Sequence, residues 1–211
     1  YEVARINPKN LLQISKRFNL LIIAKPTETF LEQEKFKIDQ YIMNGGSVLW
    51  LIDPVNAEMD SLRGKEAYFA EARKLNLDDQ LFRYGVRLNP DLVQDLQCNK
   101  IPLVVGMMGS RPQTELFNWP YFPMLMGNNN HAIVRNLDAI QSQYAGTVDT
   151  VRAKDVKKTF LLTTSQYSKA LMAPVRLHFS MLKEQPDRNA FNKKNIPVSV
   201  LLEGQFESIF K

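Results

Sequence analysis

Two short apolar runs, residues 18–24 and 47–52, flank one amphipathic stretch, and this spacing constrains the fold more than any other feature of the chain. Each run is too short for a helix and suits a strand buried on both faces. Pro26 closes the first strand, and Thr29 with Glu32 three residues later has the spacing of a capping box. Leu31, Ile38, Tyr41 and Ile42 then share one helical face, and Gly45-Gly46 supplies a left-handed stop. Strand, helix and strand in so few residues predict a βαβ unit with parallel strands and a right-handed crossover.

Residues 66–75, rich in Ala, Glu, Lys and Arg, predict a second helix. Asn76 is placed to cap a short third helix that ends at Gly85. Residues 91–96 and 101–107 read as further strands, so an open α/β sheet is the economical architecture. Residues 110–130 carry Pro112, Pro120 and Pro123, which predict a long structured loop rather than a strand. Strands return at 159–164, 175–181 and 196–202, the second alternating Val175, Leu177, Phe179 and Met181 with Arg176, His178 and Ser180. One domain over 1–211 is expected, with a β-rich C-terminal subdomain from about 159 to 211 within it.

Charge and cysteine usage narrow the function. Lys plus Arg number 27 against 22 for Asp plus Glu, a net charge of +5, but the excess is scattered. No element interleaves the cations with base-stacking aromatics, so no nucleic-acid partner is expected. The longest uninterrupted apolar runs fall far short of the roughly 20 residues that cross a bilayer. Cys98 is the only cysteine and His131 and His178 the only histidines, which gives no zinc-ligand spacing. No metal or cofactor is expected.

Candidate contacts follow from position. In open parallel sheets ligands sit beyond the carboxyl ends of the strands, which here carry Thr27, Glu28 and Asp53. Asp53 is the first of these, although an Asp before Pro54 also serves simply to start a turn. Trp119, Tyr121 and Phe122 belong to an aromatic cluster that either folds back over the sheet or docks on a partner. A cysteine hydrolase using Cys98 with His131 is the enzymatic rival. Against it, residues 96–100 lack the glycines of a strained nucleophile turn. A receptor for a small ligand or glycan near Asp53 is a third reading.

Longer stretches carry a resemblance. Phe36-Lys-Ile-Asp-Gln-Tyr-Ile-Met-Asn-Gly-Gly46, the run through Val48-Leu-Trp-Leu-Ile-Asp53, and residues 77–95 resemble the GldG family of gliding-motility-associated ABC-transporter auxiliary components. Asn118-Trp-Pro-Tyr-Phe-Pro123, residues 130–138, 158–165 and 200–210 match as well, so the likeness spans nearly the whole chain. It implies a three-layer open, mainly parallel α/β sheet of the flavodoxin-like or class I glutamine-amidotransferase-like kind. It also implies an extracytoplasmic, non-catalytic domain anchored in the cytoplasmic membrane by segments outside these residues. Its partners would be ABC permease and ATPase subunits, and its role docking or substrate binding. The superfamily's His-Pro-Ile turn reads here as His131-Ala132-Ile133, which adds His131 to the candidate contacts. The glycine-flanked Cys and His-x-Glu of active amidotransferases are both missing.

Overall fold

The computed structural model describes residues 2–210. Its first unit is a parallel pair, β1 (Leu20–Ala24) with β2 (Ser47–Leu51), joined through helix α1 (Glu32–Met43). The helix is capped later than the Thr29 spacing predicts. The Leu31 N–H donates to the Glu34 carboxylate at 2.9 Å, while the Thr29 hydroxyl donates to the Lys74 carbonyl at 2.8 Å. Past its end, Gly45 sits at φ +87°, and a Cβ on Gly46 would lie 2.3 Å from the Tyr41 ring. Leu21, Ile23, Val48 and Trp50 pack on Ile38 and Tyr41, so α1 covers one face of the pair.

After β2 the architecture is not the expected one. The remaining elements are β3 (Tyr68–Ala70), α2 (Asp78–Tyr84), β4 (Val86–Leu88), β5 (Asp91–Asp95), β6 (Cys98–Met108) and β7 (Arg111–Gly127). They continue as β8 (Ile140–Gln141), β9 (Val148–Thr150), β10 (Val156–Thr163), β11 (Ser168–Met172), β12 (Val175–Leu177) and β13 (Pro197–Gly204). Strands β13, β10, β7 and β6 pair in that order with β8 on the flank of β7, and this sheet curls into a half-barrel. The pairs β5–β11, β3–β12 and β4–β9 are antiparallel too.

The three-layer, mainly parallel, flavodoxin-like or amidotransferase-like sheet is therefore overturned. Among the described residues β1–β2 is the only parallel pair, and α1 and α2 are the only α-helices. The reason is connectivity. Parallel neighbours need a crossover of a dozen or more residues, usually a helix, whereas the two residues Gly109-Ser110 between β6 and β7 can join only antiparallel strands. Residues 66–75 do not form the predicted helix. Tyr68–Ala70 pairs instead with Val175–Leu177, burying Ala70 and Leu177 completely, and this tertiary pairing outweighs helix propensity. The short helix before Gly85 does form, and Gly85 ends it at φ +103°.

The predicted loop over 110–130 is β7, a strand of 17 residues. Pro112 and Pro120 cost the ladder no hydrogen bond. Met108 and Arg111 flank a two-residue turn as a hydrogen-bonded pair, so Met107 and Pro112 form the next, non-hydrogen-bonded pair, whose N–H positions face outward. Pro102, opposite Leu116, falls on the same outward parity. Pro120 lies where pairing is interrupted between Asn118 and Pro123, so the missing N–H breaks no ladder bond there.

Within that interruption β7 crosses the main core. Trp119, Tyr121 and Phe122 are buried there, joined by Leu92, Leu177 and Tyr144. The Trp119 ring lies 5.4 Å from Tyr121 and 5.6 Å from Phe179, and Phe122 meets Tyr144 edge-on at 5.4 Å. The Trp119 indole N–H has no hydrogen-bond partner, so packing holds the ring. Trp119→Ala is expected to lower the stability of the domain by about 3–5 kcal/mol, read from urea unfolding. A loss under about 1 kcal/mol would place the ring outside the core.

Candidate interaction surface

Chain reversal at Gly109-Ser110 produces an arm. From the Pro102–Leu116 pair to the Met108–Arg111 pair, β6 and β7 bond only to each other. Seven residues of strand extend ~23 Å. At the base Ile101 is buried and Leu103 packs against the core, which fixes the arm to the domain. Further out, Val104, Met107, Met108 and Leu116 are 64, 63, 68 and 65 % exposed. An isolated two-stranded ribbon is marginally stable in water, and apolar residues at this exposure ordinarily mark contact sites.

Strand alternation sorts the arm into two faces. Register and parity put Pro102, Val104, Met107, Pro112, Thr114 and Leu116 on one of them, without a single charge. Leu103, Gln113 and Glu115 lie on the other. The outward N–H positions at 102 and 112 are proline, which blunts both edges against pairing with a further strand. The arm thus offers a side-chain face rather than a hydrogen-bonding edge. The sequence carried a signal for it: two prolines of outward parity on either side of a Gly-Ser turn.

The residues singled out from sequence do not converge on one site. Thr27 is exposed, and Glu28 is 79 % exposed and bonds to Lys9 at 2.8 Å. Asp53 faces Lys25 instead, at 3.8 Å, while Lys25 also reaches Glu58 at 3.0 Å. Trp119, Tyr121 and Phe122 lie in the core, and the arm that precedes them carries exposed apolar residues. His131 sits in a turn, its Nδ1 accepting from the Ile133 N–H at 3.3 Å.

Cys98 opens β6 opposite Pro123, and neither imidazole hydrogen-bonds its sulfur; His178 pairs with Ser180 at 2.7 Å. Burial, with Asp95 nearby, pushes the Cys98 thiol up to about 11. A nucleophilic cysteine needs the opposite shift.

Two concavities of about 550 and 510 Å³ open on the surface, and neither is lined by Thr27, Glu28 or Asp53. The first lies between residues 9–12, α1 and Phe210; the second brings Arg87, Asn89, Asp149 and Lys193 together. Among the described residues no cluster of three or more His, Cys, Asp or Glu side chains is placed to hold a metal ion. No described helix is long and apolar enough to cross a membrane.

The chain is β-rich and projects an arm with one apolar, uncharged face, and the residues singled out above lie apart from one another. A family model described as an ABC-type uncharacterized transport system matches residues 1–211, and the chain belongs to that family. Membership makes it an auxiliary component of an ABC-type transport system and points to a non-enzymatic role. A solved structure, the "mmIFT52 N-terminal domain", is similar at 18 % identity and a TM-score of 0.46, over 89 % of this chain and 70 % of its own. No curated protein matches the sequence.

Two measurements test these environments. The Asp53 side chain is only 32 % exposed, and desolvation raises its pKa against the lowering effect of Lys25 and Arg73. The folded state then holds this proton more tightly than the unfolded chain. The group's contribution to stability therefore falls as pH climbs from the unfolded pKa through the raised folded one. Asp53→Asn is expected to raise the melting temperature at neutral pH and to leave it unchanged well below the ordinary carboxylate pKa. A lower melting temperature at neutral pH would show that the Lys25 contact dominates. For Cys98, iodoacetamide alkylation at neutral pH should run about tenfold or more below the rate of free cysteine, and an equal or faster rate would reveal an activated thiolate.

Proposed function

We propose that the chain is an extracytoplasmic, non-catalytic docking domain of a GldG-type auxiliary component, associated with gliding motility. In this reading it is held at the cytoplasmic membrane by segments outside these residues, and it engages the permease subunit, through which it acts with the ATPase. Family membership supports the transport-system part, and the long motifs shared with gliding-motility components support the finer one. The single observation that carries the docking role is the arm. Its face from Pro102 to Leu116 is apolar, uncharged and bare, and its edges are closed by Pro102 and Pro112.

Docking by a face of this kind concentrates binding energy in a few apolar anchors. Val104 and Leu116 are the natural choices, because these residues are 64 and 65 % exposed and contribute little to the core. In the full-length protein purified from its native membrane, Val104→Asp with Leu116→Asp is expected to cut recovery of the permease at least about tenfold. The isolated domain carrying the same changes should keep its melting temperature. Unchanged recovery would remove the arm from the interface. Failure of permease and ATPase to accompany even the unaltered protein would sink the transporter reading itself.

A further inference from the structure

The arm ends in a tip that is apolar on both faces. Beyond the Leu103–Glu115 pair the ribbon holds Val104–Thr114, Gly106–Gln113, Met107–Pro112 and Met108–Arg111, with Val105 at the register shift. Val105, Met107 and Met108 are 47, 63 and 68 % exposed. Met107 and Met108 are consecutive on one strand, so their side chains project from opposite faces of the ribbon. Arg111 is the only charged residue from 104 to 114. It is exposed and makes no ion pair among the described residues.

We infer that this tip enters the headgroup and upper acyl layer of an anionic lipid bilayer, turn first, beside the permease that the flank of the arm engages. The inference deepens the docking reading and rests on it for one point, that the chain is held at a membrane. Val104 and Leu116 stay with the permease, and residues 105–111 go to lipid. Three observations select lipid as the occupant.

The first is the distribution of apolar side chains around the ribbon. A protein groove receives one face, so a groove that took Met107 would leave Met108 in water. Lipid surrounds whatever enters it and covers both.

The second is charge. Arg111, with no acid nearer the turn than Glu115, gives the tip a single positive charge. A guanidinium pairs bidentately with a phosphate, and its long apolar stem lets the head stay at headgroup level while the turn sits below it. The excess of +5 over the whole chain acts in the same direction, drawing it to an anionic surface.

The third is depth. The four residues from Arg111 to Glu115 rise ~14 Å. Interfacial segments bury their apolar side by about 5–10 Å, which immerses Met107 and Met108 and leaves Glu115 in water. The backbone sets the same limit. The outward N–H positions nearest the turn are 107 and 112, and proline removes the second. The Met107 N–H that remains finds partners among headgroups and their water, but none in the hydrocarbon centre. The tip therefore dips into one leaflet and goes no deeper.

The test reconstitutes the full-length protein, without other subunits, in vesicles of phosphatidylcholine and phosphatidylglycerol. A fraction of the phosphatidylcholine carries a photoactivatable diazirine near the top of its acyl chain. After irradiation the lipid adducts are mapped by mass spectrometry. The expected result is adducts in the membrane-anchoring segments and at residues 105–111, with none at 115–118. Arg111→Glu should cut the tip adducts at least about fivefold, whereas Arg111→Lys keeps them, and a melting curve of each variant confirms folding. Anchor adducts without tip adducts would overturn the inference and leave the docking reading standing. So would tip labelling that Arg111→Glu does not reduce, or that is as strong in phosphatidylcholine alone. Absence of adducts anywhere would remove the membrane-held reading and the inference with it.

Discussion

The passage of one strand, β7, from solvent into the main core is the constraint on which the rest of the molecule hangs. Its outer half lies in the arm, and its inner half delivers Trp119, Tyr121 and Phe122 to the centre of the largest apolar cluster. Aromatic burial of this size is among the largest single contributions a small domain can recruit. The arm is therefore anchored to the least mobile part of the fold rather than hung from a loop. The interruption around Pro120 is where the strand changes role: outside it the residues pair only with β6, and inside it they also meet β8 and β10.

Buried carboxylates hold the antiparallel pieces around that core, and they do so without cations. Asp95 accepts from the Ser165 N–H and hydroxyl at 2.7 and 2.6 Å, from the Ser168 hydroxyl at 2.9 Å and from the Gln97 N–H at 2.7 Å. Asp91 accepts from the Thr147 N–H at 2.8 Å and its hydroxyl at 2.7 Å. Asp39, on α1, accepts from the Tyr84 hydroxyl and the Ser208 hydroxyl, each at 2.7 Å. Apart from the Gln97 N–H, every one of these donors lies far from its acceptor in sequence. Removing any of these acceptors would strand donors in the interior, which costs more than the bond itself contributes. The same completeness makes these carboxylates poor catalysts, since their lone pairs are already engaged.

How much of this was legible in the chain depends on range. Local signals were readable: the first βαβ unit and the stop at Gly85 follow from residues within a few positions of one another. The parallel sheet was an extrapolation from that one unit, and it failed because strand direction beyond β2 is set by partners up to about a hundred residues away, such as Ala70 with Val175. Propensity misled at residues 66–75, where three residues pair with β12 instead of coiling. Prolines misled at 110–130, because their effect depends on parity against a partner strand not visible locally. The aromatic cluster was seen as a unit, but its sequence leaves open whether it faces inward or outward.

The apolar run at 18–24 shows the same limit from the other side. A strand buried on both faces and a strand with one face awaiting a partner have the same composition, since Leu20 and Ile22 differ from Leu21 and Ile23 only in which way they point. Uncovered faces of this kind invite nonspecific association unless something narrows the choice. On the arm, Pro102 and Pro112 close the edges, so growth by strand addition is disfavoured while packing by the face remains open. The arm combines an apolar centre with a device that rejects the commonest wrong partner, and that combination separates a recognition surface from an accidental one.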